Sequence, residues 1–474
     1  MKTLINESPA GSVFNYFLEI SKIPRGSGNT APIADYLVNF ANERGLYVRR
    51  DNADNVIIRK RATAGHEGRP TVIIQGHTDI VAEKLPGLDK DMVREGVEVY
   101  RDGDFLRARG TTLGGDDGVA IAYALALLDS EDIPHPTLEV ICTSDEEVGL
   151  LGAVALDTSD ITGKMMINID SDDEGVFTVG CAGGQRSDVT LPVVREAYDG
   201  AVYELAVTGL LGGHSGVEID RGRENATKIL GECLFSLGEE ARLITLAGGS
   251  ADNAIPRECR ARVAVKDIPD DVEASLSKIE EKYKKNEADI KITLTESGCD
   301  DVALDKRSSR LAVSLLNTLP SGVIAMSEDI PGLVETSLNL GIARLTADTL
   351  SLSFSIRSAK ASSKAALGER VREIAVAHGA ACEEHGAYPA WEYKKDSPLR
   401  DAMCEVYERM YGKAPTVVTI HAGLECGIFS DKIKGLDCVS MGPDNFDIHT
   451  TEEHLSISST ERVFEYLKEV LKNI

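Results

Sequence analysis

Between positions 71 and 180, short apolar runs alternate with segments of helical period, and every run that reads as a strand stops at acidic or imidazole side chains. The runs are TVIIQ (71–75), AIAYALALL (120–128), LEVIC (138–142) and MMINI (165–169). Continuous apolar strands separated by helical segments predict βαβ units and a covered, mostly parallel sheet. APIADYLVNFANERG (31–45) carries apolar residues at helical spacing with a glycine at its end, so it reads as a helix covering one face. TVIIQ runs into Gly76, His77, Thr78 and Asp79, LEVIC into Asp145, Glu146 and Glu147, and MMINI into Asp170. In an open α/β sheet the carboxyl ends of the strands share one crevice, so these distant groups are expected to converge there.

From 185 to 385 the texture changes to amphipathic strands and charged helices, such as YELAVTG, CRARVAV, DVEASLSKIEEKYKK, DIKITLT and LSLSFSIRS. The order reads as β-α-β-β-α-β followed by a second α/β set. A helix at 398–411, a strand near LDCVSM (436–441) and a helix at 461–473 follow. If that tail rejoins the first sheet, residues 1–184 and 386–474 form one α/β domain, and 185–385 is an inserted α+β lid. No low-complexity tract or solenoid period interrupts this pattern.

Composition narrows the function. The 474 residues carry 51 Lys+Arg against 77 Asp+Glu, a net charge of −26, which disfavours nucleic acid and anionic membranes as partners. At 42% hydrophobic and 27% charged residues the chain reads as a folded soluble protein of two or three domains. MKTLINESPAGSVFNYF lacks a basic segment followed by an apolar one, and no eighteen apolar residues run together, so a cytoplasmic location is expected. Nine cysteines without CxxC pairs argue against a disulfide framework or a thiolate zinc site.

No single acidic doublet is informative, because about 12 adjacent acid pairs are expected by chance at this composition. Asp116 and Asp117, in GTTLGGDDGVAIAYALALL, sit where a helix starts and have a bland alternative as a cap and a favourable charge at the dipole. Downstream, VSMGP leads into DNFDIHTTEEHLS with His449 and His454. A histidine there would give an otherwise carboxylate site its second imidazole, and His/Asp/Glu donors suit Zn²⁺, with Mn²⁺ or Co²⁺ as alternatives.

GHTDIV (76–81), GTTLGGDDG (110–118), TSDEEVGLLGA (143–153), NIDSDDEG (168–175), GGHSG (212–216), HAGLECG (421–427) and DIHTTEEH (447–454) together resemble the M20-type dinuclear zinc peptidases, and within them the bacterial aminoacyl-histidine (Xaa-His, carnosine-type) dipeptidases. The motifs span most of the chain in order. The resemblance implies that His77 and Asp170 hold one metal, Glu147 and His449 the other, and that Asp116 bridges both. It implies that Asp79 orients His77, and that Glu146 is the general base for a water activated by two divalent ions.

The middle domain is similar to the family's lid. There the resemblance makes His214 a stabiliser of the tetrahedral oxyanion, and Asn253 and Arg357 contacts to the substrate backbone and its terminal carboxylate. It places Glu425 and His421 at the cleft wall, with Glu425 a candidate partner for the substrate's free amine. Turn, strand-end and capping roles are the bland alternatives for these residues. A lid of about 200 residues is longer than one β-α-β-β-α-β unit; it can dimerise or imitate a partner internally, and a homodimer is the expectation. The implied activity is metal-dependent hydrolysis of dipeptides, Xaa-His (carnosine-like) dipeptides first among them. The alternatives are a deacylase of N-acyl amino acids, which would use the same metal chemistry, and a non-catalytic scaffold, against which the complete ligand set argues.

Overall fold

All six residues of the strand Val72–His77 are buried, and so are those of Leu138–Thr143, as expected of apolar runs covered on both faces. The computed structural model describes residues 7–298, 302–328 and 330–474; the first six positions of the amino-terminal reading lie outside the described residues. Leu138–Thr143, Val72–His77, Met165–Asn168 and Asp437–Ser440 run side by side and parallel, at the centre of an eight-stranded sheet. Toward one edge Tyr47–Arg50 and Val56–Lys60 add antiparallel, and beyond Asp437–Ser440 the strand Val176–Cys181 also pairs antiparallel. The sheet is therefore mixed, with its parallel part confined to the middle strands. The tail rejoins it through Asp437–Ser440, in register with Met165–Asn168.

The helix Gly115–Asp129 is buried from Asp117 to Leu128. A helix apolar on all sides has no solvent face, and it packs between the helix Gly11–Ile20 and the strand Val72–His77. Tyr123 stacks on Phe464 of the last helix, Ile457–Asn473, with ring centroids 5.5 Å apart, and its hydroxyl donates to the Thr460 carbonyl at 2.8 Å. The floor of the parallel strands is thus clamped by aromatic packing.

The chain divides into two compact units, one of residues 1–180, 393–419 and 424–474, the other of 181–392 and 420–423. In the second unit the strand Ala201–Thr208, helix Ala226–Ser236, strands Arg242–Gly248 and Cys259–Val265, helix Val272–Tyr283 and strand Lys291–Glu296 follow the β-α-β-β-α-β order expected from the pattern. The second set is completed from a place the pattern did not reveal. Its first strand, Gly183–Pro192, precedes the whole first set in sequence, then pairs with Thr349–Ser358 and Ala381–Tyr388. The two sets join edge to edge, Ala247 opposite Arg344 and Gly248 opposite Ala343, in one nine-stranded sheet. Among the described residues, no helix is long and apolar enough to cross a membrane.

Candidate metal centre

His77 is the last residue of its strand, so its side chain leaves the sheet at the carboxyl end. Its Nδ1 donates to the backbone carbonyl of Asp79 at 3.1 Å, with the Asp79 carboxylate at 3.5 Å, which turns Nε2 outward. Nε2 then lies 3.0 Å from Asp116 Oδ1 and 3.8 Å from Asp170 Oδ1. The other oxygen of Asp116 lies 3.1 Å from His449 Nε2, which is 3.0 Å from Glu147 Oε1. Asp116 therefore divides the donors into two groups, one with His77 and Asp170 and one with Glu147 and His449, each with ligand atoms within 4.8 Å of one another. A further group of this kind joins His77 to Glu146 and Glu147.

Asp79 has no exposed surface and holds more than the imidazole. Its two oxygens accept from the backbone N–H groups of Glu146 at 3.0 Å and Glu147 at 3.3 Å, and Ser27 donates to one of them at 2.7 Å. It thereby ties the end of one strand to the loop after the next. Asp116 and Asp117 lie in the first turn of Gly115–Asp129 with non-helical backbone, and neither caps the helix. Asp116 faces the two histidines, while Asp117 accepts from the backbone N–H of His77 at 3.1 Å. Left-handed backbone at the non-glycine residues Asp145 (φ 49°) and His449 (φ 64°) marks the same region. Such conformations are held only where surrounding structure enforces them, typically at functional sites.

The donor set fits divalent cations. With the Nδ1 proton of His77 committed to a carbonyl, Nε2 can face the carboxylate oxygens only while it carries a second proton or with a metal cation in place of that proton; burial opposes the proton, but those oxygens hold the ring well above its usual range. Burial pushes Asp170 well above the usual carboxylate range and, with Glu425, Glu147 and Asp116 nearby and His77 opposing, pushes Glu146 up to about 8. Burial also works against Asp116, but hydrogen bonds from both imidazoles outweigh it and hold its carboxyl below the ordinary range. So many buried carboxylates around two imidazoles are short of cationic charge, and cations bound there would neutralise them.

Glu425 lies in the first unit, fully buried. Its Oε2 accepts from Gln75 at 2.5 Å and Thr143 at 2.6 Å, its Oε1 has no partner, and burial pushes it up to about 7. His454 is not among the metal groups; its ring is edge-on to Phe105 and stacked on Phe446. In the second unit, His214 and Ala254 pair across a two-residue ribbon, and the Asn253 carbonyl accepts from Ser215 N at 2.8 Å, so His214 and Asn253 are neighbours. Arg357 donates to the Tyr388 hydroxyl at 3.1 Å; burial, with the Arg357 charge second, lowers His214 from its ordinary value and brings His421 down to about 4. Residue patterns did not single out Glu453 or Arg25, which hold the loop that carries Asp116; the only signal was an acid four residues after His449.

The model of Peptidase family M20/M25/M40 matches residues 73–473. The chain belongs to this family. The M20 chain is 38% identical over 471 residues to the cytosol non-specific dipeptidase of Escherichia coli, with 98% of this chain and 97% of the relative covered. Its fold matches that of the aminoacylhistidine dipeptidase of Vibrio alginolyticus with a TM-score of 0.93 at 34% identity, covering 100% and 99% of the two chains. A Bacillus cereus aminopeptidase, PepT, matches at a TM-score of 0.58 and 17% identity over 98% of each chain, a likeness of fold alone.

Proposed function

We propose that this M20 peptidase is a metal-dependent dipeptidase that cleaves small peptides with a free amino terminus, Xaa-His dipeptides among them. The observation that carries the reading is the division of donors around Asp116, with Glu146 beside a ligand but outside both groups centred on that aspartate. The relatives named for dipeptide hydrolysis support it, since they match along nearly the whole chain.

In this reading His77 and Asp170 would hold one ion and Glu147 and His449 the other, with Asp116 as the ligand the two would share; Zn²⁺ is the first choice for N/O donors, with Mn²⁺ or Co²⁺ as alternatives. When bound, the pair of cations polarises the scissile carbonyl and makes water more acidic. Glu146 takes the water's proton and passes it to the leaving amine. Its burial, which raises its proton affinity, suits it to hold that proton between the two steps. Asp79 keeps His77 in the Nε2-ligating tautomer and anchors the Glu146–Glu147 loop.

His214 would meet the oxyanion. Its Nδ1 accepts from the backbone N–H groups of Gly216 and Val217, each at 3.2 Å, so the neutral ring carries its proton on Nε2, the tautomer that can donate to a developing negative charge. Arg357 would fork onto the substrate carboxylate and Asn253 would contact its backbone. Glu425 would face the free amine with its unpartnered oxygen. The test is a panel on metal-reconstituted protein. Dipeptides, Xaa-His included, should be cleaved. Turnover of N-acetyl or N-succinyl amino acids instead would assign a deacylase, and inactivity with every metal would refute the reading.

A further inference from the structure

Glu453, 3% exposed, lies four residues beyond His449 on the same loop. Its Oε2 accepts from the backbone N–H groups of Leu113 at 2.7 Å and Gly114 at 2.9 Å, and its Oε1 from those of Gly115 at 2.8 Å and Asp116 at 3.3 Å. Four consecutive donors at the start of a helix are thus gathered on one carboxylate, which satisfies groups that have no partner within the helix. The same loop is pinned from its carbonyl side. Arg25, fully buried, donates Nη2 to the Gly114 carbonyl at 2.7 Å and Nη1 to the Thr78 carbonyl at 2.8 Å, next to His77.

We propose that Glu453 is the positioning residue for the bridging ligand: it fixes the 113–116 loop so that the two oxygens of Asp116 face different imidazoles. The proposal rests on the two-ion reading above and goes beyond its ligands and base. Asp116 needs its own backbone set, because its Oδ1 must stay near His77 and its Oδ2 near His449, 3.0 and 3.1 Å away. A constellation of this kind tolerates displacement of only about 0.5 Å. The Asp116 N–H is among those Glu453 holds, so the position of the bridging residue is set directly. His449 and Glu453 share one segment, so a single loop supplies a ligand of one ion and the anchor of the carboxylate shared by both. Arg25 links the same loop to the end of the His77 strand, joining the three chain segments that meet at Asp116.

The test uses the full chain as wild type, E453Q, E453D, D116N and the double variant E453Q/D116N. Each is stripped with chelator, titrated with Co²⁺, and read by metal content and visible absorption, with thermal unfolding of the metal-free form as a folding control. Wild type should hold two Co²⁺ per chain. E453Q should fold and bind the second ion at least about ten-fold more weakly, with a changed cobalt spectrum. E453D should recover part of the loss, and the double variant should lose nothing beyond D116N. E453Q with wild-type affinity and spectrum, or additive losses in the double variant, would overturn the proposal. Should E453Q fail to fold, E453D carries the test: it draws the carboxylate back by one methylene, and unchanged affinity for the second ion refutes the role. A wild-type chain that holds no ion pair refutes the two-ion reading, and with it this one, which separates the two failures.

Discussion

Glu146 and Glu147 are adjacent in sequence yet differ in what they face. Glu147 reaches His449 at 3.0 Å, whereas half-buried Glu146 stands among other carboxylates near His77, with no hydrogen bond to either imidazole. Replacing Glu146 by Gln should lower kcat by about 10²- to 10⁴-fold, the usual contribution of a general base, while two metal ions remain bound. Loss of a metal in elemental analysis would show that it is a ligand instead. His421 makes a pH prediction. Its ring is 7% exposed, Nε2 lies 2.7 Å from Ser337 Oγ, and burial together with Arg357 lowers it from 6.5 to about 4. The fold therefore favours the neutral ring. Below 6.5 an unfolded chain gains a proton that the folded chain refuses, so this contribution to stability is intact above pH 6.5 and lost as pH falls toward 4. At about 1.4 kcal/mol per pH unit the loss approaches about 3 kcal/mol. Denaturant unfolding at pH 7.5 and 4.5 should show a correspondingly smaller pH effect in His421→Gln, and an equal effect in both proteins would refute it.

At the level of elements, the close approach of the strand Val72–His77 to the helix Gly115–Asp129 sets the height of the site. Gly76 is where they touch: a methyl group there would run into Ala120 and into the Asp117 carboxylate, which itself accepts from the His77 backbone. Gly76→Ala should thus push the helix away from the strand and cost about 1–3 kcal/mol by overpacking. It should also weaken metal binding, since Asp116 begins the same helix. Unfolding free energy and Co²⁺ affinity check the two effects, and a variant with both unchanged would show that the contact relaxes without moving the helix. In the second unit the joining of two β-α-β-β-α-β sets through Gly248 and Ala343 buries edges that would otherwise be open.

For the whole molecule, a net charge of −26 and a crowded nest of buried carboxylates act in the same direction. Both raise the free energy of the metal-free folded state. Adding Zn²⁺ to chelator-stripped protein should raise Tm by mass action, with about 2.7 kcal/mol gained at a free concentration one hundred times the Kd. Calorimetry at increasing Zn²⁺ checks it, and a Tm independent of metal would contradict the site. Moderate salt should stabilise the metal-free form more than the loaded one, because screening relieves only repulsion that bound cations have not already removed.

Much of the first unit was legible because local signals and tertiary structure agree there. Apolar runs bounded by turns made the strands at 72–77, 138–143 and 165–168 readable, and their ends had to carry the chemistry because strand ends meet at one edge of a sheet. The nearest-partner pattern of His77, Asp116 and His449 was implied by family likeness, not by spacing. Glu453 and Arg25 escaped both, since a carboxylate bonded to backbone N–H groups more than 330 positions away leaves no local trace. The split second set of the lid was hidden for the same reason: Gly183–Pro192 pairs with strands more than 150 residues later. Composition and periodicity determined which segments are strands or helices and where charge gathers, because those depend on neighbours in the chain. Which strands lie side by side, which oxygen of Asp116 faces which histidine, and what holds its loop were decided only by folding, because those depend on neighbours in space.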